Sequence, residues 1–242
     1  MNSCQTKIEL INVAKSFDEV DILENINIHV NKGELVSILG PSGSGKSTIF
    51  NLITNLTDVD SGEIKINGKV SYMYQKDMMV PWKKVIDNIG LPLIFNGKSK
   101  GEARSEVEKH IKAFGLDDFK YKYPNQLSGG MKQRANFLKT YLTSDDIMLL
   151  DEPFGALDSI TRRKLQLWLL DLIKDMKSTI LFITHDIDEA IFLSERIYII
   201  SDKPAKIKGE IKVNLNMDRD ENVVLTDEFI NIKREINKIM NF

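Results

Sequence analysis

The sequence predicts an α/β fold with a mainly parallel sheet, and three observations lead to that prediction. Apolar runs of strand length alternate along the chain with longer segments of helical periodicity. A glycine-rich stretch, GPSGSGKST from Gly40 to Thr48, follows the apolar run Leu35–Leu39 and precedes a helical segment. Two acidic residues, Asp151 and Glu152, end another apolar run. Sheets of this kind bind their ligands at the carboxyl ends of the strands.

Length and composition fit one large domain or one domain with an inserted subdomain. The 242 residues include 42% hydrophobic and 28% charged residues, which are globular values. The formal net charge of −2 argues against a general surface for nucleic acids. Cys4 is the only cysteine, which excludes an internal disulfide, and we interpret it as an incidental thiol. No signal pattern or bilayer-spanning apolar run is found, so we expect any membrane role to be peripheral.

The first third of the chain predicts an antiparallel β region beside the parallel core. Lys7–Val13 and Asn25–Val30 alternate apolar and polar residues, as half-buried strands do. Phe17 lies between them, and taken alone it is interpreted as a core aromatic residue. After the glycine-rich stretch, two short strands flank Asn67-Gly68, a dipeptide that predicts a β-hairpin.

The middle of the chain predicts a helical subdomain inserted into the core. Val85–Phe95 and Glu102–Phe114 have helical periodicity, and LSGGMKQR at Leu127–Arg134 begins another helical run. The apolar face of the second helix comprises Ala103, Val107, Ile111 and Phe114. We therefore divide the single domain into a nucleotide-binding core (1–75 and 143–213), an inserted helical subdomain (76–142) and a C-terminal tail (214–242).

The last third of the chain returns to alternating strands and helices. Ile147–Leu150 and Thr179–Thr184 are predicted buried strands, and Ile187–Leu193 is a short helix. The segments RIYIIS and GEIKV are further strands, and Asp227–Met240 is a final amphipathic helix. A helix from about Ser159 to Met176 has an inner stripe of Leu165, Leu169, Leu172 and Met176.

The glycine-rich stretch matches the phosphate-binding pattern Gly-x-x-x-x-Gly-Lys-Ser/Thr. Backbone N–H groups can surround a triphosphate only where a tight turn is allowed, and glycine allows it. Lys46 can reach the β- and γ-phosphates, and the Ser47 hydroxyl can ligate Mg²⁺. The sequence therefore predicts a site for ATP and Mg²⁺ formed by Gly40, Pro41, Ser42, Gly43, Ser44, Gly45, Lys46, Ser47 and Thr48.

Polar side chains at two later strand ends are predicted to complete this site. Asp151 can hold Mg²⁺ near Ser47, and Glu152 can orient the water that attacks the γ-phosphate. His185 ends the next apolar strand, so adjacent parallel strands would bring its imidazole to Glu152 and the γ-phosphate. The alternatives are acids that merely cap the next element and a structural histidine, and the phosphate loop upstream favours the catalytic interpretation.

The stretch LSGGMKQR offers a second phosphate clamp without a catalytic acid or base. Ser128, Gly129 and Gly130 supply a hydroxyl, two bare backbone turns and a helix N-terminus. The first loop already surrounds the phosphates of one ATP, so we expect this clamp to hold ATP bound to another copy. It therefore predicts a head-to-tail homodimer with two shared sites.

Taken together, these motifs resemble the ATPase subunit of ABC transporters, in order and over nearly the whole chain. The set comprises GPSGSGKST, Gln75, LSGGMKQR, IMLLDEP, Ala156-Leu157-Asp158 and His185. The resemblance implies that Phe17 stacks on adenine and that Asp158 crosses the dimer interface. It implies that Gln75 links Mg²⁺ and the water to the helical subdomain. The fold it implies is a P-loop NTPase with an N-terminal antiparallel β part and an inserted helical subdomain.

Three segments, YQKDMMVPWKKVIDNI, EPFGALD and IISDKPAKI, are similar to importer ATPases of the nitrate/sulfonate/taurine/bicarbonate group, which includes relatives for thiamine-pyrimidine precursors. This likeness implies a bacterial importer subunit on the cytoplasmic face of the membrane. Its partners would be two transmembrane permease subunits, served by an extracytoplasmic solute-binding protein. Met78–Trp82 is interpreted as a surface that receives a permease helix, the alternative being that Trp82 caps the subdomain core. Lys139 departs from the arginine that is common in the family.

Two other functions remain as alternatives. An ABC-type ATPase acting on nucleic acid or ribosomes usually has coiled-coil insertions, tandem ATPase units or basic arms, and this sequence has none of them. Exporter ATPases are generally fused to a membrane domain, and the Pro81-Trp82 segment favours the importer. The solute would be recognised by the binding protein and the permease, so this chain does not specify it.

Overall fold

The computed structural model describes residues 5–76, 78–144, 146–155, 157–175, 178–215 and 219–240. Cys4, Ala156 and Met176 lie outside these ranges, and the side chain of Leu172 is also outside the description. Across the described ranges, no helix has the length and apolar character needed to cross a bilayer.

Strands and helices alternate along the chain as predicted. In chain order they are β1 Thr6–Phe17, β2 Val20–Asn31, β3 Leu35–Leu39, α1 Lys46–Ile53, β4 Ser61–Ile66, β5 Val70–Met73, α2 Val85–Phe95, α3 Lys100–His110, α4 Gly129–Tyr141, β6 Ile147–Asp151, α5 Ser159–Asp175, β7 Thr179–Thr184, α6 Ile187–Leu193, β8 Arg196–Ile200, β9 Ile207–Lys212 and α7 Asp227–Met240. Short 3₁₀ turns at Asp117–Phe119, Pro124–Gln126 and Glu221–Leu225 join some of them.

The larger sheet has the strand order β5-β6-β7-β3-β8-β9, in which all neighbours except β8 and β9 are parallel. Strands β3, β6 and β7 are buried at every residue, because other elements cover both faces of the sheet. The helices of the insertion, α5, α6 and α7 contribute to the core on one face. Helix α1 and the smaller sheet form the core on the other face. This is the predicted α/β fold with a mainly parallel sheet.

The smaller sheet is antiparallel, with the order β2-β1-β4, and it shows that the predicted hairpin is wrong. Strand β4 pairs with β1, whereas β5 pairs with β6 in the larger sheet. Asn67 Nδ2 donates to the carbonyl of Thr6, and Gly68 has a φ of 147°. A Cβ on Gly68 would lie 2.8 Å from Cβ of Asp146. The Asn-Gly turn therefore passes the chain from one sheet to the other instead of reversing it.

The helical subdomain forms with its predicted first helix, α2, and with a shifted second helix. Helix α3 begins at Lys100 because Ser99 and Glu102 form a capping box, in which each side chain accepts from the other's backbone N–H. It ends at His110, so Ile111 and Phe114 lie beyond it. Both are nevertheless buried in the same core as Val107, because the chain turns back over the helix end.

The tail packs against the core through the predicted amphipathic helix α7, whose Phe229 and Ile236 are buried. Arg219, just before α7, is buried and donates to three carbonyls at the end of α6. These are the carbonyls of Ile191 at 3.0 Å, Phe192 at 2.7 Å and Ser194 at 2.9 Å. The last carbonyls of a helix have no partner within it and attract cations, so the guanidinium of the tail closes this helix.

Candidate nucleotide-binding and catalytic site

A cleft of about 350 Å³ opens at the carboxyl end of β3. The predicted residues that line it are Phe17, Ser42, Gly43, Gly45, Lys46, Ser47, Thr48, Gln75 and Glu152. Ile22 and Lys203 also line it, and no sequence pattern marks either of them. Residues from the small sheet, the phosphate-loop pattern, the segment just before the insertion and the end of β6 therefore meet in one place.

The phosphate-loop pattern forms a tight turn between β3 and α1. Gly43 and Gly45 have φ angles of 80° and 100°, in the region that L residues other than glycine rarely adopt. A Cβ on Gly45 would also lie 2.8 Å from Cγ2 of Ile22. Helix α1 begins at Lys46, so its N-terminal N–H groups and the positive end of its dipole face the cleft.

Lys46 is buried, and its ammonium group is held by the loop itself. Nζ donates to the carbonyls of Gly40 at 2.8 Å and Pro41 at 2.6 Å. Burial lowers the pKa of Lys46, and the charges of Glu152 and Asp151 act in the opposite direction. Neutral carbonyls are weaker partners for an ammonium than phosphate oxygens are. The loop thus presents a cation that gains free energy when it meets an anionic ligand. Gly40 and Pro41 act here through their carbonyls, while Ser44 is buried beneath the loop.

Asp151 is buried at the end of β6 and lies against Ser47. Burial raises the pKa of the Asp151 carboxyl, and hydrogen bonds from Ser47 and Tyr72 oppose this rise. The Tyr72 hydroxyl is 3.3 Å from Oδ2 of Asp151, and burial raises the pKa of that phenol. A carboxylate beside a hydroxyl is an oxygen donor set of the kind that Mg²⁺ takes, so these residues fit the cation that the sequence implies.

Glu152 has a backbone φ of 47°, an uncommon conformation for a residue with a side chain. Its N–H donates to the carbonyl of Ile183 at 3.1 Å, and its carbonyl accepts from Nε2 of Gln133 at 3.1 Å. These bonds tie the backbone of Glu152 to β7 on one side and to α4 on the other. The site therefore holds a strained conformation that turns this carboxylate toward the cleft.

The side chains of Gln75 and His185 both meet the carboxylate of Glu152. Nε2 of Gln75 donates to Oε2 at 3.0 Å, and Nδ1 of His185 lies 3.2 Å from Oε1. This meeting follows from the parallel pairing of β6 with β5 on one side and β7 on the other, which places the ends of the three strands side by side. The arrangement surrounds one carboxylate with an amide that directly precedes the insertion and an imidazole that follows β7.

Phe17 is the last residue of β1 and is 45% exposed, so its interpretation as a core aromatic is wrong. Its ring lines the cleft, with Nζ of Lys15 at 5.1 Å from the ring centroid. The exposure of Phe17 depends on tertiary structure, because the end of β1 lies at the cleft. Stacking of Phe17 on adenine stays a prediction.

The signature residues lie outside this cleft. Ser128 caps α4 by accepting the N–H of Met131 at 3.3 Å, and Gly129 and Gly130 begin the helix. Asp158 is exposed and accepts the N–H of Thr161 at the start of α5. None of these four is among the residues that line the cleft. This geometry agrees with the expectation that they act on a second copy.

Two further site residues, Tyr72 and Gln133, also received no role from the sequence. Gln133 lies within LSGGMKQR, and its place in that motif could have marked it as a site residue. Tyr72 is one of several polar residues in a short alternating strand, and nothing in its neighbourhood marks it as a partner of Asp151.

Comparison with known proteins agrees with this geometry. Residues 23–155 match the family model described as ABC transporter. The formylaminopyrimidine import ATP-binding protein ThiZ of Halalkalibacterium halodurans is 43% identical over 79% of this chain and 78% of its own length. The aliphatic sulfonates import ATP-binding protein SsuB of Bacillus cereus is 39% identical over 92% of this chain and 90% of its own. The bicarbonate transport ATP-binding protein CmpD of Synechocystis sp. is 36% identical over 85% and 77%.

Solved structures are also similar to this chain. The dimeric structure of a bacterial ABC transporter cassette, MJ0796, superposes with a TM-score of 0.79 at 34% identity. That match covers 86% of this chain and 100% of the other. A dimer of the same cassette in a post-hydrolysis state, bound to ADP and Pi, gives a TM-score of 0.77 at 33% identity.

Proposed function

The chain belongs to the ABC transporter family of ATPases, and from that premise we propose that it is the energy-coupling subunit of an importer for a small solute. The observation that carries the proposal is the meeting of Gln75 and His185 at Glu152, beside the buried ammonium of Lys46. The names of similar proteins support a solute of the sulfonate, bicarbonate or formylaminopyrimidine type.

ATP binding follows from the phosphate loop. The N–H groups of Ser42 to Thr48 would surround the phosphates, and Lys46 would exchange its carbonyl partners for phosphate oxygens. Phe17, at the open edge of the cleft, would stack on the adenine ring. The cleft therefore provides a charged floor for the triphosphate and an aromatic edge for the base.

Mg²⁺, when bound with ATP, supplies positive charge that stabilises the developing charge on the phosphates. Ser47 and Asp151 would hold it through oxygen atoms, with Gln75 as the third predicted ligand. The hydrogen bond between Gln75 and Glu152 would connect this site to the helical subdomain.

Hydrolysis assigns separate roles to Glu152 and His185. The carboxylate of Glu152 would accept a hydrogen bond from the attacking water and orient it toward the γ-phosphate. His185 would hold the Glu152 side chain through Nδ1 and contact the γ-phosphate with the rest of its ring. The backbone strain at Glu152 fits a group that must keep one orientation.

The complete site would form between two copies of the chain. Ser128, Gly129 and Gly130 of one copy would clamp the phosphates held by the phosphate loop of the other. Asp158, exposed at the start of α5, would cross the same interface. The dimeric cassettes that superpose on this chain support such an assembly.

A permease would dock on the helical subdomain. Met78 and Trp82 are 59% and 78% exposed, so the alternative in which Trp82 caps a core does not apply. Phe95, at the end of α2, is exposed on the same subdomain. We assign to this surface two transmembrane subunits, with a solute-binding protein acting through them. The ATPase would then lie peripherally on the cytoplasmic face of the membrane.

Under this proposal, the core, the insertion and the tail each have a separate role. The core (1–75 and 143–213) would bind ATP, the insertion (76–142) would carry the signature and the permease surface, and the tail (214–242) would support the core.

Substitution Glu152→Gln tests the proposed function. The amide keeps the shape of the side chain and removes the charge that orients the water, so hydrolysis should fall by about two to four decades. Binding should persist because Lys46, Ser47 and Asp151 are unchanged. The variant should therefore accumulate as an ATP-bound dimer in size-exclusion chromatography, and ADP should not produce that dimer.

Glu221→Gln is a matched control, because Glu221 is exposed and lies in the tail, far along the chain from the site. It should hydrolyse ATP normally. A Glu152→Gln variant that stays monomeric with ATP and still hydrolyses it at the normal rate would refute the proposed mechanism.

A further inference from the structure

A buried carboxyl group, Glu189, lies directly behind the catalytic residues and has no role in the function described so far. It sits in the first turn of α6 and is only 6% exposed. Its two oxygens accept hydrogen bonds from Oγ1 of Thr184 and, at 3.2 Å, from Nε2 of Gln166. A buried carboxylate needs such donors, because burial without them is costly.

Thr184 connects Glu189 to the turn that contains His185. Its hydroxyl donates to Glu189 and accepts the backbone N–H of Asp186 at 3.0 Å. One hydroxyl group therefore bonds across His185, from the residue before it to the residue after it. The Asp186 side chain then caps α6 by accepting the N–H groups of Asp188 at 2.9 Å and Glu189 at 3.1 Å. The turn and the helix start form one hydrogen-bonded unit.

A small cavity of about 40 Å³ places this unit next to the reacting groups. Glu152, His185, Thr184 and Glu189 are among the residues that line it. A water molecule needs roughly 10–15 Å³ of such volume and polar partners, and the cavity offers both. Glu189 and the carboxylate of Glu152 therefore line the same small cavity, which has room for water.

Burial raises the pKa of Glu189 to about 7, with a further rise from Asp186 and an opposing effect of Arg162. Hydrogen bonds from Thr184 and Gln166 also lower it. The titratable and charged groups around Glu189 come from α5, from the turn, from α6 and from the far side of the cavity. They are Arg162, Arg163, His185, Asp186, Asp188 and Glu152.

We propose that Glu189 is a positioning residue for ATP hydrolysis: its ionised carboxylate fixes, through Thr184, the turn that presents His185 to Glu152, and its protonation releases that turn. The inference rests on the proposed roles of Glu152 and His185. An ionised carboxylate only accepts hydrogen bonds, and charge-assisted bonds are about twice as strong as neutral ones. Once protonated, Glu189 has to donate one bond, so the Thr184 hydroxyl loses its charged acceptor and its fixed direction.

Glu189→Gln imitates the protonated state, because the amide puts an NH₂ donor in place of one of the two carboxylate oxygens, so either Thr184 or Gln166 loses its acceptor there. We expect kcat of the wild-type protein to fall as the pH drops through about 7, with KM for ATP little changed. The Glu189→Gln variant should have kcat about tenfold lower than the wild type at pH 8.5. Its kcat should then vary little between pH 6 and 8.5. Asp188→Asn removes a carboxylate one residue away, so it serves as control and should keep the wild-type profile.

Thr184→Val gives a second, independent variant that keeps the buried shape and removes the linking hydroxyl. It should lose the same pH dependence, and combining it with Glu189→Gln should cause no further loss of kcat. Glu189→Asp keeps a carboxylate and should retain a fall of kcat at low pH, so the inference stays testable if the glutamine variant does not fold.

A fall of kcat in acid that comes from a group other than Glu189 would leave the profile intact in Glu189→Gln. A Glu189→Gln or Thr184→Val variant with the wild-type pH profile refutes the inference. The inference is also refuted if the double variant loses kcat by the product of the losses in Glu189→Gln and Thr184→Val. Failure of the proposed function would look different, because Glu152→Gln would then retain hydrolysis.

Discussion

At the scale of single residues, the site brings one buried ammonium group close to two carboxyl groups of unlike surroundings. Asp151 is buried against Ser47 and Tyr72, whereas Glu152 turns outward in a strained backbone conformation. Neighbours in the chain thus have different environments, and this difference suits one to a cation and the other to water.

Lys46→Ala should abolish tight binding of ATP. The charge-assisted bonds to the β- and γ-phosphates are lost, so we expect the dissociation constant to rise by at least about a hundredfold. Isothermal titration calorimetry would measure it, with Lys32→Ala, an exposed lysine at the other end of β3, as the control. Equal affinity of Lys46→Ala and wild type for ATP would show that Lys46 does not bind the phosphates.

Glu189→Gln should also change how stability depends on pH. The pKa of Glu189 in the folded chain is about 7, above its ordinary value of 4.5, so the folded state binds a proton that the unfolded state has lost. Binding of this proton adds to the free energy of unfolding below pH 4.5, and that contribution is lost as the pH rises through about 7. The melting temperature of the wild type, relative to Glu189→Gln, should therefore fall by several degrees between pH 5 and 8. A difference that stays constant with pH would contradict a raised pKa.

Single residues also show what the sequence can and cannot predict. The phosphate loop, Asp151, Glu152 and His185 are recognisable because each follows an apolar strand, and the chemistry of ATP requires such groups at strand ends. Tyr72 has its role through Asp151, and the second donor that Glu189 needs beside Thr184 is Gln166; both of these partners are far along the chain. No local pattern encodes those contacts, so only the folded structure reveals them.

At the scale of elements, local signals worked where the neighbouring structure agreed with them. The first helix of the insertion has the predicted bounds because its periodicity and its core face coincide. The Asn-Gly turn had a strong hairpin signal, yet its two strands found partners in different sheets. Strand pairing is non-local, so a turn dipeptide specifies a change of direction but not the partner that the next strand will choose.

Trp82→Ala should separate coupling from folding. The side chain is mostly exposed, so its loss should leave basal ATP hydrolysis unchanged and the melting temperature within about 2 °C of wild type. Transport in a reconstituted complex should be lost, because the permease surface is damaged. Unchanged transport would refute the docking assignment.

The chain's other tryptophan gives the comparison for this experiment. Trp168 packs against Phe114, Phe137 and Tyr141, with the Phe114 ring centroid at 4.4 Å. Trp168→Ala should lower the free energy of unfolding by about 3 kcal/mol, because it leaves a cavity in the core between the insertion and α5.

At the scale of the whole molecule, one copy holds the parts of two different half-sites. The phosphate loop and Glu152 line the cleft, whereas Ser128 lies at the start of α4 outside it. A chain whose Ser128 lies outside its own cleft is suited to a head-to-tail pair, in which each copy completes the other.

Ser128→Arg should leave ATP binding by one copy nearly intact and destroy hydrolysis, because the large side chain prevents closure on the partner's ATP. Mixing Ser128→Arg with Lys46→Ala should restore part of the activity, since one site of the mixed dimer has neither defect. Steady-state ATPase assays over several mixing ratios would measure it. A mixture of Lys46→Ala with the double variant of both substitutions has no intact site and should stay inactive. Absence of recovery in the first mixture would contradict shared sites.

The guanidinium of Arg219 has a consequence for how the chain can be divided. Its three carbonyl partners belong to a core helix, so a fragment that ends at residue 213 would leave those buried carbonyls without their donor. Each unsatisfied buried group costs about 1–3 kcal/mol, a large share of the 5–15 kcal/mol that stabilises a typical domain. The boundary drawn from the motifs is therefore not a boundary of autonomous folding. The tail is part of the smallest unit that can fold, and chimeras of related subunits should exchange it together with α6.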